Sequence, residues 1–195
     1  MFKPVAWILC LAPLANLAYS LYLDLGANPV ETITNNTGIW TLRLIVLTLA
    51  ISPLRWVTGL NQLISYRRLA GLFAFFYGCL HFTTFFLFDH QFDVGAMWTD
   101  VRLRPYITAG FIAFVLMIPL AVTSTTGWIR RMGGKNWNLL HRLIYLTAIG
   151  AVLHYYWKVS IKLPPVYPRN YAVVVGVLFA LRLWRNFARK RASEV

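Results

Sequence analysis

Residues Trp137–Trp157 read WNLLHRLIYLTAIGAVLHYYW. The stretch is long enough to cross a bilayer as one helix, which takes about 20 predominantly apolar residues. It nevertheless carries two histidines, His141 and His154. Ionisable side chains at membrane depth are costly and rare, and they mark functional sites by default. A third histidine, His81, lies inside a second apolar run, GLFAFFYGCLHFTTFFLF, at residues 71–88. Histidines buried in membrane helices are therefore the feature to explain.

Composition bounds the answer. Of the 195 residues, 58% are hydrophobic, 16% aromatic and only 13% charged, against about 25% charged in soluble domains. The expectation is an all-α membrane protein, one domain over residues 1–195. The net charge of +13 would suit a nucleic-acid binder, but the basic residues cluster between apolar runs, as membrane topology requires. Cys10 and Cys79 each sit in an apolar run, and no CxxC or CxxCH exists. Covalent haem attachment, zinc ribbons and thioredoxin-like chemistry are thus unsupported. The N-terminal run VAWILCLAPLANLAYSLYL is too long for a secretory signal and lacks a clear cleavage site, so it reads as a retained span.

Six spans are expected, at about 5–23, 39–57, 69–88, 106–122, 137–157 and 169–184. The polar segment GANPVETITNNTG reads as the link between the first two. Pro13 is tolerable where neighbouring helices satisfy the freed carbonyl, and Arg43 is expected to snorkel to the interface. Pro105 suits the first turn of the fourth span and Pro119 its end or a kink. Gly133-Gly134 breaks the next link, and Lys158–Pro168 (KVSIKLPPVYP) forms a proline-rich turn.

Orientation follows from the cations. Thirteen fall on one side: Lys3, Arg55, Arg67, Arg68, Arg130, Arg131, Lys135, Arg142, Arg182, Arg185, Arg189, Lys190 and Arg191. Five fall on the other, Arg102, Arg104, Lys158, Lys162 and Arg169, where the acidic residues also gather. The asymmetry places both termini in the cytoplasm.

Neutral imidazole is well suited to hold a haem iron from a helix. His141 and His154 would lie about 20 Å apart along one ideal helix and about 140° apart around it. One haem cannot take both from a straight helix; the spacing suits two haems stacked across the bilayer, with Gly150 as the place for a bend. His81 lies about 20 Å beyond Arg67-Arg68, while His154 lies about 28 Å and His141 about 9 Å beyond Lys135. His81 and His154 are therefore the expected pair for an outward-side haem. A second haem would use His141 with a weaker ligand or water. His90 is expected as a solvated residue at the membrane edge.

Arg67, Arg68 and Arg142 are candidates for haem propionates or a flavin phosphate, because arginine pairs bidentately with such groups. Topology alone is the plainer account of them. The phenylalanines around His81 would line a haem face or face lipid. Two other readings of the histidines stay open: helix-packing residues, or a proton relay in a small transporter. Against the relay, none of the six expected spans contains Asp or Glu. No HxxH, HxxxH or HExxH pair supports other metal chemistry.

Several segments carry a resemblance. GANPVETIT, ISPL, RRLAGL…LHFT, RPYITAG, LAVTST and GKNWNLLHRLIYL…LHYYW occur in that order across residues 26–157. The ordered set resembles the MsrQ (YedZ) family of haem-binding membrane subunits, within the ferric-reductase-like transmembrane superfamily. The resemblance implies six helices with two b-type haems between two histidine-bearing helices. The superfamily uses four histidines there, and this chain supplies three within its spans. It also implies FMN, an inner-membrane location and electrons drawn from the quinone pool or a cytoplasmic flavin donor. The implied partner is a periplasmic molybdenum-cofactor enzyme that reduces methionine sulfoxide.

Overall fold

The computed structural model describes residues 3–24, 26–161, 164 and 166–192. Among these the chain is almost wholly helical, with no strand. Helix α1 spans Lys3–Leu23, α2 Pro29–Thr58, α3 Ile64–Thr84, α4 Val94–Leu103 and α5 Pro105–Val122. Two short helices, α6 (Thr126–Met132) and α7 (Gly134–Leu140), lead to α8 (Leu143–Ser160) and α9 (Val166–Ala192). Five stretches are long and apolar enough to cross a membrane: Lys3–Leu23, Pro29–Thr58, Asn61–Asp89, Pro105–Val122 and Val166–Ala192. Helix α8, the remaining expected span, is less apolar because His154, Tyr155, Tyr156 and Lys158 fill its last turns.

The segment expected as a polar link is largely helix. Asn28 caps α2 by accepting from the Glu31 amide at 3.2 Å, its own Nδ2 donates to the Glu31 carboxylate at 3.2 Å, and Pro29 opens the first turn. Thr34, Asn35 and Asn36 thereby enter the bundle as helix residues. The other end of α2 stops at Gly59, left-handed at φ 71°, whose amide donates to the Arg55 carbonyl. Helix α3 continues through one wide turn at Phe85–Asp89. The chain reverses at Gln91 and Phe92, both at positive φ, before Asp93 caps α4, a helix not expected from the sequence. Of the proline-rich turn at Lys158–Pro168, Lys162, Leu163 and Pro165 lie outside the described residues.

The expected fifth span, 137–157, is not one helix. Helix α7 ends at Leu140, and the Arg142 amide donates to Leu139 instead of continuing the α pattern. His141 and Arg142 form that turn, and α8 starts afresh at Leu143. Gly150 is not a bend. It sits inside continuous helix, where its missing side chain lets α8 approach Ala113 and the Ala109 carbonyl of α5.

Helix α2 packs chiefly on α3, and α5 chiefly on α8. These pairs meet through α3 with α5 and α2 with α8, forming a four-helix centre. Its core includes Leu42, Ile45, Leu49, Phe73, Tyr77, Met117, Ala148 and Val152. Helix α1 lies against α3 and α9 against α8 and α2. Tyr77 is fully buried; its hydroxyl donates to the Cys10 carbonyl at 2.8 Å and accepts from the Leu14 amide at 3.2 Å. A neighbouring helix thus supplies hydrogen bonds beside Pro13. Arg43, expected to snorkel, donates to the Tyr171 hydroxyl at 3.2 Å and lies over Trp40. One end of the bundle carries Glu31, Asp89, Asp93 and Asp100; the other carries Arg55, Arg67, Arg68 and Arg185.

Candidate functional site

His81 of α3 and His154 of α8 face each other inside the four-helix centre, ring centroids 6.0 Å apart and ring planes at 76°. Each ring is fixed from behind. His81 Nδ1 donates to the Thr34 carbonyl of α2 at 2.9 Å, and His154 Nδ1 donates to the Tyr106 carbonyl of α5 at 2.7 Å. A carbonyl can only accept, so both protons sit on Nδ1 and both Nε2 atoms carry the free lone pair.

Two glycines make these positions possible. A Cβ on Gly38 would stand 2.9 Å from His81 Cε1 and 3.0 Å from its Nδ1. On Gly110 it would stand 2.6 Å from His154 Nδ1 and 3.0 Å from Cε1. Both rings occupy space that any other residue would fill.

The histidines line a cavity of about 1250 Å³ that reaches the acidic end of the bundle. Phe82 and Phe114, stacked with centroids 4.9 Å apart, form part of one wall. An imidazole nitrogen binds a first-row metal at about 2 Å, so one ion between two such nitrogens leaves ring centroids roughly 6 Å apart. The observed separation fits. Among the described residues no group of three or more His, Cys, Asp or Glu could complete a metal site. The remaining ligands would therefore have to come with the metal, as they do in a haem macrocycle. The roomy, largely apolar cavity suits such a group.

The ferric reductase like transmembrane component family matches residues 37–152, which include most of α2 and all of α3, α5 and their partner stretch of α8 up to Val152. A protein-methionine-sulfoxide reductase heme-binding subunit MsrQ from Herminiimonas arsenicoxydans is 50% identical over 98% of this chain and 90% of its own length. The MsrQ of Ralstonia nicotianae is 49% identical over 91% of this chain and 82% of its own, and that of Polaromonas naphthalenivorans 43% over 97% and 87%. The chain belongs to the MsrQ family. No solved structure matches it.

Of the remaining histidines and arginines singled out in this MsrQ-family chain, only His90 lines the cavity. His141 sits at the joint between α7 and α8, outside the cavity, stacked on Trp137 with centroids 3.7 Å apart. Its Nδ1 donates to the Trp137 carbonyl at 3.0 Å, while its Nε2 is buried without a hydrogen bond of normal geometry, the Leu120 carbonyl being the group it approaches. Arg67 and Arg68 begin α3, about 20 Å from His81 along the helix, and neither lines the cavity. Arg142 borders a shallow groove with Asn136, Leu139 and Tyr145. His90 is not solvated: its side chain is 8% exposed and its Nε2 lies 3.6 Å from Asp100.

The cations that do line the cavity are Arg104 and Lys158. Arg104 pairs with Asp100 at 3.2 Å, and Lys158 donates to Asn35 Oδ1 at 2.6 Å. Lys158 had a legible signal: it follows His154 by four residues and so shares its helix face.

Proposed function

We propose that this chain is a haem b-binding, inner-membrane electron-transfer subunit of a methionine-sulfoxide reductase system. The observation that carries the reading is the His81–His154 pair, with both lone pairs left on Nε2 by carbonyls that bind both Nδ1 protons. Relatives named heme-binding subunits, matched over most of their length, support it. His81 and His154 would hold the iron. A bis-imidazole haem supplies one-electron transfer at a potential set by its ligands and surroundings.

The chain's own part is binding, orientation and insulation. The hydrogen bonds that the two Nδ1 groups donate to the Thr34 and Tyr106 carbonyls hold ring orientation and raise imidazole basicity. Phe82, Phe114 and Met117 give the cavity apolar walls that would shield a bound group from water. Arg104 and Lys158, nearer the pair than Arg67, Arg68 or Arg142, are better placed for a cofactor's acidic groups. Electrons would arrive from the quinone pool or a cytoplasmic flavin donor. They would leave at the acidic, periplasmic end for a molybdopterin-dependent reductase, with both termini cytoplasmic. FMN is supported only by family resemblance.

A second haem at the basic end is favoured by one observation, the buried Nε2 of His141, which makes no hydrogen bond of normal geometry. The visible spectrum of detergent-purified protein tests the main reading. A Soret band that shifts on dithionite addition is expected. A colourless protein from haem-replete cells would return the histidines to a proton relay.

A further inference from the structure

The two histidines are held by the same device, built twice on different helices. On α2 the Thr34 carbonyl accepts from His81, and Gly38 follows it by four residues. On α5 the Tyr106 carbonyl accepts from His154, and Gly110 follows it by four residues. The spacing has a physical cause. In an α-helix the carbonyl of residue i points at the amide of residue i+4. A side chain reaching that oxygen from a neighbouring helix must therefore pass over residue i+4, where a Cβ would block it. The distances bear this out at both places: the hypothetical Cβ atoms fall 2.6–3.0 Å from ring atoms. No other helical glycine faces an imidazole: Gly71 would meet only Thr48 at 3.7 Å, Gly150 would meet Ala113 and the Ala109 carbonyl, and Gly176 meets nothing within 4 Å.

We propose that Thr34–Gly38 and Tyr106–Gly110 are paired ring clamps. In each, the carbonyl and the glycine one turn later together fix the plane of one imidazole. The two clamps set the 76° angle between the rings and thereby the affinity and potential of the haem bound between them. The haem half of this inference rests on the function proposed above; the clamp half concerns the protein alone. Gly38 and Gly110 are positioning residues, since they act through the rings.

The test uses full-length protein in detergent and has two arms. Alanine forms helix better than glycine, so Gly38→Ala should raise the melting temperature wherever space is open. With His81 present it should lower it, and in a His81→Ala background the sign should reverse. Gly110→Ala should behave likewise with His154, while Gly176→Ala never lowers it. If Gly38→Ala alone fails to fold, recovery in the His81→Ala double variant supports the clamp and failure to recover opposes it. Effects that simply add, with no coupling between glycine and histidine, overturn it. In the haem-loaded arm, Gly38→Ala and Gly110→Ala should move the low-spin ferric electron paramagnetic resonance signal and weaken haem retention about tenfold or more. An unchanged signal and retention would overturn the claim on ring angle. A wild type without haem would sink the functional reading, while the melting cycle still decides the clamp.

Discussion

The rings of His81 and His154 meet at 6.0 Å, although their helices pack chiefly on other partners, α3 on α2 and α8 on α5. That arrangement explains the cavity. Protein interiors are close-packed, with few voids larger than a water molecule, so a cavity of about 1250 Å³ lined by both histidines points to a site built for an occupant. The rings are held from behind by α2 and α5, so each points into that space without needing the other.

Removing either ring should remove the occupant. His81→Ala and His154→Ala are each expected to cut haem content of the purified protein about tenfold or more, read from the reduced-minus-oxidised spectrum. His90→Ala, which removes a ring 3.6 Å from Asp100 and edge-on to Phe85 but no iron ligand, should keep the band. Full haem content in His81→Ala would refute the α3 ligand.

Stability should depend on Tyr77 separately from haem. Its hydroxyl satisfies the Cys10 carbonyl and the Leu14 amide beside Pro13. Tyr77→Phe strands both groups out of water, at a cost of about 1–3 kcal/mol. Thermal unfolding in detergent should show the loss, while the absorption maxima stay where they were. A wild-type melting temperature would mean that α1 closes its own helical bond once the hydroxyl is gone.

Much of this organisation is legible in the residues, and the misses have physical causes. The apolar runs locate α1, α3, α5 and α9, because burial in lipid demands them. The start of α2 was also written in the chain: Asn28, Pro29 and Glu31 make a capping box with a first-turn proline, hidden by the polarity of the residues that follow. The break at His141-Arg142 had no such sign, since neither glycine nor proline lies there and only a shift in backbone hydrogen bonding marks it. Arg67, Arg68 and Arg142 lie outside the His81–His154 cavity, because residue type alone does not fix depth. Gly38 and Gly110 could not be told from packing glycines until the partner helices were known.

Topology offers a check independent of the cofactor. The cations concentrate at one end of the bundle, as cytoplasmic loops do. Reporter fusions after Arg185 should read cytoplasmic, and fusions within Asp89–Asp100 should read periplasmic. The reverse pattern would place the mouth of the His81–His154 cavity on the cytoplasmic side and invert the direction of electron flow.

One centre or two is decided at His141. Its Nε2 is buried at the basic end without a hydrogen bond of normal geometry, and its ring is braced by Trp137, whose indole donates to the Thr123 carbonyl at 2.8 Å. A ring braced this firmly meets one requirement of a second ligand position, and its Nε2 would have to turn from the Leu120 carbonyl to meet an iron. If it holds a second haem, reductive titration of the wild type should resolve two components. His141→Ala should then remove one and lower the haem-to-protein ratio by about half, because the His81–His154 pair lies outside its reach. Delivery of electrons from the cytoplasmic side to the remaining haem should slow as well. Loss of the whole haem complement would mean instead that His141, not His154, completes the site with His81. Unchanged content and a single titration step would make His141 a packing residue, holding α7 to α8 through its stack on Trp137.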